Sequence, residues 1–304
     1  MNFHVFMSLL FVSFTSLLAS AETNFCQLTS QAALTACRSG GQGDYWVAIG
    51  KCDNLSDPAQ QNACKQQAST DLNTAKQDCN DQFAVRQTAC QRLGDDPYDP
   101  VINPADFIST IDNPYFPLAP GTTYIYDGTT GGAKVHVEFA VTRKRVKILG
   151  VNTVEVHDKV FTDGALTEDT LDWFAQDVRG NVWYFGENTE ELIGGRPSSL
   201  AGTFTAGVNG AKAGIIMEAH SVIGDFYRQE FALDEAEDFA DVKRLSDTIT
   251  VPAGKFTNCL RTDETTPLEP SLHEAKWYAP GVGNILTKDL VTGETIKLTR
   301  IEHH

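Results

Sequence analysis

Cys52-Asp-Asn-Leu-Ser-Asp-Pro-Ala-Gln-Gln-Asn-Ala-Cys64 is the stretch on which the fold of the N-terminal part of this chain turns. Asp53, Asn54, Ser56 and Asp57 favour turns and caps over helix interiors, and Pro58 is tolerated only in a first helical turn. The segment reads as a reversal, with Ser56 or Asp57 capping the helix that follows. The other cysteines, 26 and 37 before it, 79 and 90 after it, are separated by intervals of 11, 15, 12, 15 and 11 residues. The list is a palindrome about residue 58, as two antiparallel helices joined by a turn would produce. Equal intervals on both arms keep partners level, because each helix rises about 1.5 Å per residue.

A bond between Cys26 and Cys37 is excluded on a helical arm, since their Cα atoms would stand about 16 Å apart and a disulfide needs less than about 7 Å. The spacing predicts Cys26–Cys90, Cys37–Cys79 and Cys52–Cys64. The second arm, Ala59 to Leu93, holds no Gly or Pro and is rich in helix formers. The first carries Gly40-Gly41-Gln42-Gly43 and is expected to split there into two shorter helices. Large apolar residues are few in both arms, so the element needs covalent staples. Without C-x-x-C pairs or a haem signature, no metal site and no cofactor is expected. Cys259, the seventh cysteine, reads as a buried thiol on a strand.

Val5 to Leu18 is mostly apolar and precedes Ala19-Ser20-Ala21. This resembles a signal peptide over residues 1–21, shorter than the roughly 20 apolar residues of a membrane span. A secreted or periplasmic location without a transmembrane segment is expected, and disulfides agree with it. The formal charge of −16 makes nucleic acid a poor partner.

Residues 22–93 are thus a disulfide-stapled helical hairpin, and 94–104, rich in Gly, Asp and Pro, a linker. From 105 to 304, β-branched and aromatic runs alternate with turn residues about every ten positions, the mark of an antiparallel sheet. The fold class is α+β, the sheet an open or half barrel. Expected strands are 122–127, 133–149, 151–162, 166–177, 181–187, 202–206, 225–233, 240–251, 255–264, 273–279, 283–289 and 295–301. Asp127-Gly128 is among the expected turns. A reversal at Val178-Arg179-Gly180-Asn181 would set Gln176 opposite Trp183, Phe174 opposite Phe185, and Asp172 opposite Glu187.

Several motifs resemble a family of uncharacterised bacterial exported β-rich proteins. They are Asn113-Pro-Tyr-Phe-Pro-Leu118 with Pro120-Gly-Thr-Thr-Tyr124, Asp172-Trp-Phe-Ala-Gln-Asp177, Gly180-Asn-Val-Trp-Tyr-Phe-Gly-Glu187 and Trp277-Tyr-Ala-Pro-Gly-Val-Gly283. The resemblance spans about residues 105 to 300, leaves the hairpin outside and implies no activity. A more distant similarity to the half-barrels of lipoprotein carriers implies a concave sheet holding an apolar ligand.

Three functional readings compete. The first is a non-enzymatic binding protein for a small hydrophobic or lipid-like ligand. Its contacts would be Trp173, Phe174, Gln176, Trp183, Tyr184, Phe185, Tyr227, Gln229, Trp277 and Tyr278, an aromatic wall with few polar orienters. The second is a hydrolase or lyase using Asp172, Asp177, Glu187 and Glu230, with His157, His220 or His273 carrying protons. No nucleophile or metalloprotease motif supports it. The third is a structural role in which the hairpin presents a face to a protein partner. A calcium site is a minor variant of the first reading, suggested by the acidic run Asp234-Glu235-Ala236-Glu237-Asp238, but the run lacks EF-hand spacing and such charge runs are usually solvated turns.

Overall fold

The computed structural model describes residues 23–304, so the expected signal segment lies outside the described residues. Among the described residues two long helices come first. Helix α1 (Phe25–Asp53) starts at Asn24, whose side chain accepts from the backbone N–H of Gln27. Helix α2 (Pro58–Leu93) is capped by Asp57, which accepts from the N–H groups of Ala59 and Gln60. The arms are joined at Cys26–Cys90, Cys37–Cys79 and Cys52–Cys64, with Cα separations of 5.5, 5.8 and 5.5 Å.

Helix α1 is continuous, against the expectation of a break at its glycines. Each helical glycine costs about 1 kcal/mol relative to Ala. The disulfides on either side, Cys37–Cys79 and Cys52–Cys64, hold the antiparallel arms side by side and offset that cost. The inner seam is built from Ala33, Leu34, Ala68 and Ala89 beside the cystines. Such small residues suit helices this close together, and a Cβ at Gly41 would already stand 3.2 Å from the Cβ of Ala75.

The rest is strand: β1 (Phe107–Ile108), β2 (Thr122–Thr130), β3 (Ala133–Ile148), β4 (Val151–Thr162), β5 (Ala165–Asp177), β6 (Val182–Ile193), β7 (Arg196–Ser199), β8 (Phe204–Thr205), β9 (Lys212–Met217), β10 (Phe226–Arg228), β11 (Glu230–Phe231), β12 (Phe239–Val251), β13 (Gly254–Thr265), β14 (His273–Ala279), β15 (Gly283–Asp289) and β16 (Thr295–His303). The sheet is antiparallel, in the order β10-β12-β13-β14-β15-β16-β2-β3-β4-β5-β6-β9-β11, with β1, β7 and β8 added at β5 and β6. Its two end strands, β10 and β11, are separated in the chain by Gln229 alone, so the sheet is nearly closed and barrel-like.

Three strands were not expected from sequence: β1, β7 and β9. The expected turn at Asp127-Gly128 lies inside β2, and the chain reverses instead at Gly131-Gly132, both with positive φ. Gly128 is where β16 comes closest, since a Cβ there would collide with the Thr295 carbonyl.

Two apolar layers follow from the two-residue period of strands. The inner one includes Tyr124, Tyr126, Val141, Val154, Val156, Phe174, Tyr184, Leu260, Tyr278 and Leu298. A smaller outer pad of Ile148, Val151, Ala175, Trp183 and Phe185 is covered by Phe107 from the segment that precedes the barrel. Residues 111–118 cross the barrel beside the β5–β6 and β14–β15 turns. The N–H groups of Asp112 and Asn113 donate to Gln176 Oε1, Asn113 Nδ2 donates to the carbonyls of Gly180 and Glu218, and Gly281 N–H donates to the Pro114 carbonyl. This lashing turns Phe116 inward against Phe174 and Tyr278.

The hairpin docks on the outside through arginines. Arg86 on α2 forms a two-pronged bond to Glu237, with Nη2 to Oε1 at 2.7 Å, and the two side chains are 3 % and 2 % exposed. Arg92 pairs with Asp241 and lies 4.2 Å from the Phe226 ring centre. Arg228 of the barrel stacks over Phe231 and Phe239 and donates to Cys26 Sγ. Removing one partner of a buried ion pair strands the other charge. Arg86→Ala is therefore expected to lower the unfolding free energy by about 3–5 kcal/mol in urea titrations, and Arg86→Met combined with Glu237→Leu to restore most of it.

Candidate functional site

The barrel holds a cavity of about 370 Å³, inside the range of small-ligand sites. Its walls combine two kinds of chemistry. Phe116, Leu118, Val137, Phe139, Ile216 and Ile296 form apolar surface, while Asp158, Asp172, Glu187, Glu230, Asp238 and Glu264 bring carboxylates and Lys276 an ammonium. Tyr124, Tyr126, Tyr184 and Tyr278 add rings that carry a hydroxyl.

Strand alternation places most of these groups. Val156 and Asp158 share the inner face of β4, Asp172 and Phe174 that of β5, and Lys276 and Tyr278 that of β14. Strand β6 breaks the alternation. Phe174 pairs with Tyr184 and Ala175 with Trp183, whereas Trp173 pairs with Gly186 and Asp172 with Glu187. Near the turn the register is thus one residue away from that expected, so neither Phe174–Phe185 nor Gln176–Trp183 is a pair. A bulge at Phe185 restores the expected Asp172–Glu187 pairing. The bulge sends Phe185 to the outer pad, 5.4 Å from the Phe107 ring centre, and lets Tyr184 and Glu187, three residues apart, both face inward. Gly186 adopts φ 137°, and a Cβ there would collide with the Phe204 carbonyl.

The acids interact. Tyr184 Oη lies 2.5 Å from Asp172 Oδ1 and 3.0 Å from Glu187 Oε2. A hydroxyl has one hydrogen, so it donates to one carboxylate, and the second contact is favourable only when the other carboxyl carries a proton. Burial first, then the charge of Asp158, pushes Asp172 well above the usual carboxylate range. Burial and Asp172 push Glu187 up to about 8. Burial, Glu168 and Glu187 push Asp158 up to about 7. Burial and Asp238 push Glu230 well up, and burial takes Asp238 to about 6 although Lys276 opposes it.

Burial works against the charge of Lys276, but Glu264 and Glu274 outweigh it and hold the ammonium charged. Lys276 Nζ lies 2.7 Å from Glu264 Oε2, and Glu264 also accepts from Thr262 and Tyr278. Gln229, 3 % exposed, faces the cavity with its Nε2 unpartnered.

Of the residues singled out from sequence, Phe174, Tyr184, Gln229, Tyr278, Asp172, Glu187 and Glu230 line this lumen. The others lie elsewhere. Trp173, Trp183 and Phe185 belong to the outer pad because they alternate with the inward residues. Gln176 is committed to residues 112 and 113. Tyr227 packs on Ala240 and Val242. Trp277 donates to Asp247 and carries Arg261 on its ring. Asp177 organises the β5–β6 turn by accepting from the N–H groups of Arg179 and Asn181 and from Trp183 Nε1. Among the histidines, His157 pairs with Asp169 at 2.6 Å, and His220 and His273 are exposed.

Glu237 in the acidic run is the partner of Arg86, and Asp238 faces the lumen, so that run is not a solvated turn throughout. Asp158, Glu264, Lys276, Tyr124 and Tyr126 were not singled out, and Asp238 only as part of the acidic run. Alternation carried a signal for Asp158, Glu264 and Lys276, each two residues from an inward Val156, Thr262 or Tyr278. Cys259 is buried on β13.

The folded chain keeps the protons of Asp158, Glu187 and Asp238 through a pH range in which the unfolded chain has lost them. Its stability therefore falls as pH rises from about 5 to about 8, each proton of difference contributing about 1.4 kcal/mol per pH unit. Urea unfolding across that window measures the slope, and Asp172→Asn with Glu187→Gln is expected to flatten it. No family model matches this chain, and comparison with curated proteins and with solved structures returned no significant match.

Proposed function

We propose that this is an exported binding protein that holds a small, largely hydrophobic ligand inside its barrel. The observation that carries the reading is the lumen itself: about 370 Å³ of space, walled by aromatic and aliphatic side chains together with ionisable groups. Sheets that serve only as scaffolds fill their interiors with side chains, because a void forfeits dispersion contacts. Export is part of the proposal. Three disulfides fit an oxidising compartment, no described helix is long and apolar enough to cross a membrane, and the apolar N-terminal run has the form of a cleavable signal. The similarity to the exported β-rich proteins and the lipoprotein carriers points the same way, as analogy.

Ile216→Trp, which fills part of the lumen, is expected to lower the affinity for an environment-sensitive apolar fluorophore at least tenfold with the circular dichroism spectrum unchanged. Equal uptake by the variant would remove the lumen as the binding place. A second reading rests on the Tyr184 bridge between Asp172 and Glu187, two acids of raised proton affinity beside a cavity, which is an arrangement for general acid–base catalysis. It requires hydrolysis of model esters or glycosides that disappears in the Asp172→Asn, Glu187→Gln variant, and turnover that survives this change disposes of it.

A further inference from the structure

Lys276 is already paired, lying 2.7 Å from Glu264 and 3.7 Å from Glu274. That leaves Asp158, Asp172, Glu187, Glu230 and Asp238 facing one cavity with no salt bridge to any described residue. Burying carboxylates without cations costs several kcal/mol per charge, so these groups either keep their protons or are stabilised by a cation placed beside them. Two further observations mark this wall as a polar site. Asp158 Oδ1, an acceptor on the cavity wall, has no hydrogen-bond partner, which favours a donor or a positive charge beside it. Nε2 of Gln229, 3 % exposed and lining the same cavity, is an unpartnered donor, which marks the wall as polar there without selecting a cation.

The aromatic groups fit the same occupant. Phe174 and Tyr184 stack at 4.7 Å, with Phe116 at 5.3 Å from Phe174 and 6.4 Å from Tyr278. Faces of this kind attract organic cations through their quadrupole, most strongly where water is excluded. An anionic head would meet the uncompensated acids, and its one complementary charge, Lys276, is taken.

We propose that the ligand of the lumen is a hydrophobic organic cation: an apolar chain or ring bearing an amine or quaternary ammonium, its charge beside Asp172 and Glu187 and its apolar part against Phe139, Val137 and Ile296. This rests on the binding-protein reading above and narrows it to one chemical class.

The test is calorimetric titration of the full chain at neutral pH with three probes of equal chain length, kept below micelle formation: decyltrimethylammonium, decanol and decanoate. The ammonium probe is expected to bind at least tenfold tighter than decanol and decanoate not to bind. Asp172→Asn with Glu187→Gln is expected to weaken the ammonium probe tenfold and leave decanol unchanged, and Asp158→Asn, a smaller change at another strand, to weaken it in the same direction. Decanol or decanoate binding as tightly as the ammonium overturns the cation assignment while the apolar-ligand reading stands. Equal loss of ammonium and decanol in both variants also overturns it, because charge would then not be the cause. Failure of all three probes overturns both readings together.

Discussion

At Gln229 the two edges of the sheet become one chain. Residues 226–228 pair with β12 and residues 230–231 with β9, so closure is made by covalent continuity as well as by hydrogen bonds. The approach is tight enough that position 214 on β9 accepts only glycine without a shift, since a Cβ there would meet the backbone of Gln229 and Glu230. Closure removes exposed strand edges and creates an inside. Every unusual feature of the lumen depends on that, because carboxylates on an open sheet would be solvated and unremarkable in their proton affinity.

The hairpin relates to this closure directly. Its docking residues, Arg86 and Arg92, reach Glu237 and Asp241, which flank the start of β12, while Arg228 of β10 reaches back to the Cys26–Cys90 end of the hairpin. The covalently stapled end thus sits against the strands that close the barrel. Staples suit this task, since the helices bury little apolar surface of their own and Ala and Cys dominate their seam. Tyr98, between hairpin and sheet in sequence, is tied in as well, donating to the Ala213 carbonyl and stacking edge-on against Phe231.

Within the lumen two electrostatic regimes sit side by side. Around Glu264 the charge is balanced, by Lys276 and by donors from Thr262 and Tyr278. Around Asp172 and Glu187 it is not, and Tyr184 offers one hydrogen between two acids. In the first regime ionisation is favoured by partners. In the second it is opposed by burial and by like charge, and the acids keep their protons to higher pH.

The linear sequence carried the hairpin and its cross-links: which cysteines can be level with one another follows from helix rise and the position of the turn, both local quantities. It carried most strands too, since a two-residue alternation between breakers is local. The continuity of α1 through Gly40–Gly43 was not legible, because helix propensity disfavours it and the cross-links that overrule propensity act between distant residues. The bulge at Phe185 was equally hidden. It depends on the outer pad finding Phe107, about eighty residues earlier, and on the Phe204 carbonyl finding Gly186. Asp172, Glu187, Phe174 and Tyr184 were recognisable as chemistry-bearing types, and the Asp172–Glu187 pairing was legible from the β5–β6 reversal; the Phe174–Tyr184 pair depended on the bulge, and the meeting of these groups with Glu230, Asp238 and Lys276 on the closure. Inside and outside are properties of a completed barrel: sequence determined the period of each strand, and the tertiary structure decided the face, because a single bulge or a shift of one residue exchanges the two.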